Sequence, residues 1–308
     1  MLICDTHADT LYAMQRTGRS PSQQLDITKE RLLCTNDVRV QALALFTGVV
    51  EAQKSSQIVR RELIMLEKLK ENGFRHITRL EDAREGFANI LLTIEGGEVF
   101  HAGLHMVEAF YEKGVRAAAL VWNHENLLAF PAVGNNPKGL TDYGREVVLR
   151  MQALGMAIDV SHLNPQGVED VFLLGGPPPM ASHSCANALC KHPRNLTDKQ
   201  LHSLFNAGGY VGVNFYPPFL VENGHATVDH VIDHMAHMCT LGGEFSIGMG
   251  SDFDGIDTHP VGLRHAGDVP ALFDRMFSRG FGNVLVEAIA GGNFAAYMKR
   301  VEGTCRKG

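Results

Sequence analysis

Leu2-Ile3-Cys4-Asp5-Thr6-His7-Ala8-Asp9 joins a short apolar run to a His-x-Asp pair. On an extended strand, residues two apart point to one face, so an imidazole nitrogen and a carboxylate oxygen can converge there on a cation. In a chain with 15 His and 34 acidic residues such a pair also arises by chance. What gives it weight is that an apolar run followed by a polar, metal-competent residue recurs along the whole chain.

Further apolar runs, rich in β-branched residues, occupy residues 40–46, 90–94, 117–122, 156–160, 179–182, 210–215 and 245–250, making eight with residues 2–4. Between them lie helical patterns, clearest over 58–69, 143–154, 228–241 and 269–277. Strands alternating with helices imply a parallel sheet. Eight such units in a chain of 308 residues fit an α/β fold of the (β/α)8 TIM-barrel type. The expectation is a single barrel domain over residues 1–308, of the metal-dependent hydrolase type.

The runs end on His7 and Asp9, on Glu95 with Gly96-Gly97, on His124, His162, His183, on Asn214 with Tyr216, and on Asp252 within Gly250-Ser251-Asp252-Phe253-Asp254-Gly255. In a barrel these positions gather at the C-terminal rim, where such folds place their chemistry. Three imidazoles and two carboxylates exceed what one catalytic zinc takes. The economical reading is two zinc ions per chain: His7 and Asp9 on one, His162 and His183 on the other, with Glu95 and a water or hydroxide bridging them. Such a pair activates water and polarises a carbonyl, which suits amide or ester hydrolysis.

Other histidines read differently. His230, His234 and His237 share a helical face but carry no HExxH arrangement, so they are expected on a solvated face, as are His101, His105, His192, His202 and His225. Gly248-x-Gly250 lacks the rest of a dinucleotide fingerprint. Pro177-Pro178-Pro179 reads as a rigid lead into a strand, Asp254 as a turn residue, and Cys185, without a base, as a small buried filler. The six cysteines contain no Cys-x-x-Cys and are expected as reduced thiols. A net charge of -6 argues against nucleic-acid or anionic-membrane surfaces. With no signal-like segment and a polar tail, the expected location is cytoplasmic.

The ordered set Asp5-Thr6-His7-Ala8-Asp9, Ile94-Glu95-Gly96-Gly97, Asp159-Val160-Ser161-His162, Ser182-His183-Ser184, His192-Pro193-Arg194-Asn195, Val213-Asn214-Phe215-Tyr216 and the segment around Asp252 resembles the membrane dipeptidase (renal dipeptidase) family of binuclear zinc peptidases. The steps of 21 residues from His162 to His183 and 11 from His183 to Arg194 agree with it. The resemblance implies the same metal allocation. It also implies that His124 steadies the tetrahedral intermediate, that Arg194 grips the substrate's free carboxylate, that Tyr216 lines the pocket and that Asp252 handles protons. It implies a dipeptide substrate, tolerance of a C-terminal D-residue and a homodimeric assembly. The sequence differs from secreted members in lacking an evident disulfide framework, and the segment between His124 and His162 is short, so its lid is expected to differ. The rival readings are another two-metal amidohydrolase, such as a lactonase or cyclic-amide hydrolase, and an inactive binding homologue. Amidohydrolases of that kind bridge their metals with a modified Lys after strand four, where this chain has Asn123 and His124; an inactive homologue would have lost ligands, and none is missing.

Overall fold

The structure, a computed structural model, describes residues 1–20, 25–48, 52–222 and 225–303, with backbone alone for 52 and 53. Its strands are β1 (Leu2–Asp5), β2 (Val38–Phe46), β3 (Phe74–Ile77), β4 (Ala88–Glu95), β5 (Val115–Ala119), β6 (Ala157–Asp159), β7 (Met180–Ala181), β8 (Tyr210–Val213) and β9 (Ile247–Met249). The hydrogen-bonded order β2-β1-β9-β8-β7-β6-β5-β4-β3, with a further pairing of β2 to β4, closes eight parallel strands into a barrel. Each of the eight apolar runs supplies one barrel strand.

The ninth strand, β3, matches none of those runs, because Phe74-Arg75-His76-Ile77 has two polar residues side by side between its apolar ends and is too short to stand out. Its place follows from the registers on β4. One edge of β4 pairs with β2 from Asn89↔Val40 to Glu95↔Phe46. The other edge is shared: β3 takes Ala88 to Leu91, and β5 takes Leu92 to Ile94 across an irregularity at Leu92/Thr93. Glu95, the last residue of β4, therefore emerges on the barrel ring itself.

The helices are α1 (Thr10–Thr17), α2 (Lys29–Leu32), α3 (Ala52–Glu71), α4 (His105–Glu112), α5 (Asp142–Leu154), α6 (Pro165–Leu174), α7 (Asp198–Asn206), α8 (Pro217–Leu220), α9 (Val228–Thr240), α10 (Val269–Ser278), α11 (Asn283–Glu287) and α12 (Asn293–Gly303). Their starts are written locally. Thr141 caps α5 by accepting from the Gly144 amide, Asn164 caps α6 with Pro165 following, and Thr197 with Gln200 forms a capping box on α7.

Burial on both faces explains why the strands read as nearly unbroken apolar runs; all eight residues of β4 are buried. One core lies between sheet and helices. A second gathers Cys4, Val40, Leu91, Ala117, Ala157, Met180 and Tyr210, one from each of seven barrel strands, against Phe294, Tyr297, Met298 and Val301 of α12. That apolar plug seals the barrel floor, so water reaches the interior from the C-terminal rim. The five described cysteines are free, as expected; Cys305 lies outside the described residues. Among the described residues no helix is long and apolar enough to cross a membrane.

One expectation for α9 fails. His234 is buried, not solvated, because it falls on the same helical face as Val231, Met235 and Met238. Its Nδ1 accepts from the Ala186 amide at 3.0 Å and its Nε2 donates to the Leu220 carbonyl at 3.1 Å. Burial lowers its pKa, keeping the ring neutral for these two bonds. His230 meets Thr227 at the start of the helix, and His237 pairs with Asp198 at 3.0 Å. His234→Leu strands an N–H and a C=O in the core, and a loss of about 2–4 kcal/mol is expected, read from the urea unfolding midpoint.

Candidate active site

The rim side chains are aimed by unusual backbone. Among the described residues, His162, Asp252 and Asp254 are the non-glycine residues with positive φ, at 70°, 66° and 64°. Left-handed backbone is costly for such residues and concentrates where function needs a side chain in a set direction. Gly96, directly after Glu95, has φ 91°, and a Cβ there would stand 2.8 Å from the Gly48 amide nitrogen. Gly96 thus lets the chain after β4 approach closely the chain after β2.

Two carboxylates brace the rim in the same way. Asp5 accepts from the Ser251 amide at 2.9 Å and from its hydroxyl at 2.5 Å, tying β1 to the turn after β9. Asp159 accepts from the Ser182 amide at 2.9 Å and from the Ser182 hydroxyl, tying β6 to β7. Since Ser182 donates to Asp159, its oxygen accepts from His183 Nδ1 at 2.7 Å. His162 Nδ1 likewise donates to Asn123 Oδ1 at 3.0 Å. With Nδ1 protonated in both rings, each Nε2 turns a lone pair towards the barrel axis.

Those lone pairs meet at Glu95. Its Oε1 lies 2.8 Å from His162 Nε2, 3.6 Å from His183 Nε2 and 3.8 Å from His7 Nε2. His7 Nε2 also stands 3.7 Å from Asp9 Oδ2 and 3.7 Å from Asp252 Oδ1. Donors on a tetrahedral zinc with bonds near 2.0 Å are about 3.3 Å apart, so these spacings bracket what a metal needs. His7, Glu95 and His183 form one metal-competent group, and His7, Asp9 and Asp252 another. His7 Nε2, Asp9 Oδ1 and Glu95 Oε2 are buried without a hydrogen-bond partner, a costly state that a cation relieves. The donor set fits a bound metal.

Electrostatics points the same way. Burial pushes the Glu95 and Asp252 carboxyls up, with Asp9 adding repulsion at both. Burial also drives His162 and His183 well down, and Arg194 and His7 add to this. His7 is the exception: burial acts to lower it, but the carboxylates of Glu95, Asp9 and Asp252 lift it to about 10. Without a cation among them these groups satisfy one another only by holding protons.

The site opens into a cleft of about 640 Å3. Asp9, Glu95, His162, Arg194, Tyr216 and Asp252, all expected at the site, line it, together with Tyr12, Arg16, Phe46, Trp122, Asn123 and Asp257, which were not. His7 and His183 lie beneath, their rings stacked at 3.8 Å. Arg194 is buried, with Nη2 donating to the His183 carbonyl at 3.4 Å and its guanidinium over the Phe219 ring. His192, read as a surface residue, lines the cleft and accepts from the Arg194 amide at 3.1 Å. Cys185 is the expected buried thiol, pushed up by burial.

His124 is exposed, its ring 5.7 Å from that of Trp122, which lines the cleft; His124 is not itself a lining residue. The residue before it, Asn123, faces His162. Asp254 is more than a turn residue: half-buried, it accepts from Thr10 Oγ1 at 2.7 Å and from the Asp26 amide at 2.6 Å, locking the start of α1 to the loop after β9. The segment from 120 to 141 is pinned over the β6 end through Ala132 N to His162 O at 2.7 Å and Asn164 Nδ2 to Lys138 O at 2.6 Å.

A closed eight-stranded barrel with a buried nest of imidazoles and carboxylates at its C-terminal rim defines the metallohydrolase type of TIM barrel. Residues 1–307 match the model of the membrane dipeptidase family (Peptidase family M19), and the chain belongs to that family. Membership implies a metal. An uncharacterized dipeptidase of Schizosaccharomyces pombe is 36% identical over 216 residues, 69% of this chain and 53% of the relative. The chain thus spans little more than half the length of the fission-yeast relatives it matches. Among solved structures, the metallopeptidase described as dipeptidase AC superposes with a TM-score of 0.89 at 25% identity, covering 98% of this chain and 99% of that one. A metallopeptidase from Rhodobacter sphaeroides, described with a phosphinate mimic of the dipeptide L-Ala-D-Ala, superposes with a TM-score of 0.88 at 24% identity, covering 98% and 99%.

Because His7 sits near pKa 10 among its carboxylates, it carries a proton at pH 7.5 and must shed it to ligate. Zinc titrated into chelator-treated protein at pH 7.5 is expected to release about one proton or more per chain, read by calorimetry in buffers of different ionisation enthalpy. Glu95→Gln should weaken metal retention more than tenfold in equilibrium dialysis with elemental analysis, with far-UV circular dichroism unchanged.

Proposed function

We propose that this chain is a zinc-dependent dipeptidase that hydrolyses the peptide bond of dipeptides bearing a free C-terminal carboxylate. The observation that carries the reading is a buried arginine and a buried five-ligand nest in one cleft. His7, Asp9 and Glu95 would hold one zinc ion, and Glu95, His162 and His183 a second. When bound, the metal pair supplies an activated water and polarises the scissile carbonyl.

The remaining roles belong to side chains. Arg194 offers a planar fork that matches a carboxylate; its burial, which lowers its pKa, also keeps water from competing for the ion pair, while Glu95 and Asp252 support its charge. That fixes the substrate's C-terminus and limits length at that end. Asp252 is held by Asn214 Nδ2 at 3.0 Å on one oxygen, leaving the other, Oδ1, on the side of His7. A carboxylate with a raised pKa in this position takes a proton from the attacking water and passes it to the leaving amine. Tyr216, whose ring stands 5.0 Å from Phe219, walls the C-terminal residue on the Arg194 side. His124, exposed beside Trp122, would steady the tetrahedral intermediate once substrate fills the cleft. A C-terminal D-residue belongs to the proposal because the cleft is open and because the Rhodobacter sphaeroides neighbour is described with a mimic of L-Ala-D-Ala.

Asp252→Asn is expected to retain its metal, by elemental analysis, and to lose about 10²–10⁴-fold in kcat. Near-normal turnover in that variant would remove Asp252 as the proton carrier. Capping the substrate's C-terminus as an amide should lower kcat/KM sharply in the wild type and far less in Arg194→Ala. No cleavage of any dipeptide by zinc-loaded protein would overturn the reading and turn attention to lactones and cyclic amides.

A further inference from the structure

On the dipeptidase reading above, we infer that Arg16 makes this enzyme select dipeptides whose N-terminal residue carries an acidic side chain. Among the described residues, Arg16 and Arg194 are the two Lys or Arg side chains lining the cleft. Arg194 is spoken for by the C-terminal carboxylate. Arg16 is not: it is exposed at the mouth and, among the described residues, takes part in no hydrogen bond or ion pair. The cleft's acids are engaged elsewhere. Asp9, Glu95 and Asp252 surround His7, Asp254 accepts from Thr10 and Asp26, and Asp257 pairs with Tyr216. A cation left unpaired in a cleft lined by five carboxylates is the group placed to receive an anionic ligand atom.

Its location says which part of the ligand. Arg194 follows β7 and Arg16 sits on α1 after β1, three strands apart around a ring of eight, with β8 and β9 between them. A dipeptide held at Arg194 with its peptide bond at Glu95 and Asp252 therefore extends its N-terminal residue towards α1. There the wall is aromatic: Tyr12 stands 4.6 Å from Phe46, and Phe46 5.1 Å from Trp122. Arg16 follows Tyr12 by four residues on the same helical face, about 6 Å along α1. A side chain with a short methylene stem and a terminal carboxylate, glutamate above all, lays its stem on the rings and its charge at Arg16. The substrate's ammonium group is served by the surrounding acids, which would otherwise repel a second carboxylate.

The test compares isosteric substrates, so that charge alone differs. On zinc-loaded protein, kcat/KM is measured for Glu-Ala against Gln-Ala and, with the acid moved to the other end, for Ala-Glu against Ala-Gln. Wild type is expected to prefer Glu-Ala by about fivefold, the scale of one exposed charge pair. In Arg16→Gln that ratio should fall to about one or below, and in Arg16→Glu it should invert, while the Ala-Glu to Ala-Gln ratio stays put. Cleavage of Gln-Ala with a Glu-Ala preference that neither variant alters would overturn the assignment of Arg16 and leave the dipeptidase reading standing. An equal shift in both ratios would also overturn it, marking Arg16 as a general field. Failure to cleave any of the four would sink both readings.

Discussion

The site depends on a single electrostatic constraint: a carboxylate, Glu95, held almost entirely out of water within 4 Å of three imidazole nitrogens, with two more carboxylates beside it. Burial drives the acids up and two of the histidines down, so the cluster is uncomfortable as a set of protein groups. Bound cations let the carboxylates ionise and engage the lone pairs that the low histidine pKa values leave free. The orphaned atoms on His7, Asp9 and Glu95 are the structural trace of that requirement.

Much of the rest of the barrel serves to keep those groups from relaxing. The Asp5–Ser251 and Asp159–Ser182 clamps join neighbouring strand ends and, through Ser182, set the tautomer of His183. Left-handed backbone at His162 and Asp252 points their side chains inward at a local cost, which the closed barrel around them absorbs. Below, the α12 plug makes the rim the route for water. The polar chemistry is therefore confined to one end of an otherwise apolar cylinder.

The cleft above the metal centre has a distinct polarity. A buried arginine stands at one side and an exposed one at the other, with aromatic walls on both and acids between. His234, outside the metal cluster, supports the Arg194 side by holding Ala186 of the same loop against Leu220. Positioning of the C-terminal anchor thus reaches into the core of α9.

What could be read from the chain alone was whatever depends on local order. Eight apolar runs became the eight barrel strands because period and β-branching are properties of neighbours in sequence. The five metal-competent residues were legible because each lies at or a few residues past the end of a strand, and strand ends in a barrel share a rim. What only the tertiary structure decided were the side-chain directions and the contacts between distant segments. Asn123 and His124 are adjacent in sequence, yet one faces His162 and the other solvent. His234 is hidden by the packing of its helix, not by its composition. Tyr12, Arg16, Phe46 and Trp122 enter the cleft because separate elements turn them towards one space. β3 was invisible because pairing to half of one edge of β4 is a matter of register between strands, and a four-residue strand carries no periodicity of its own.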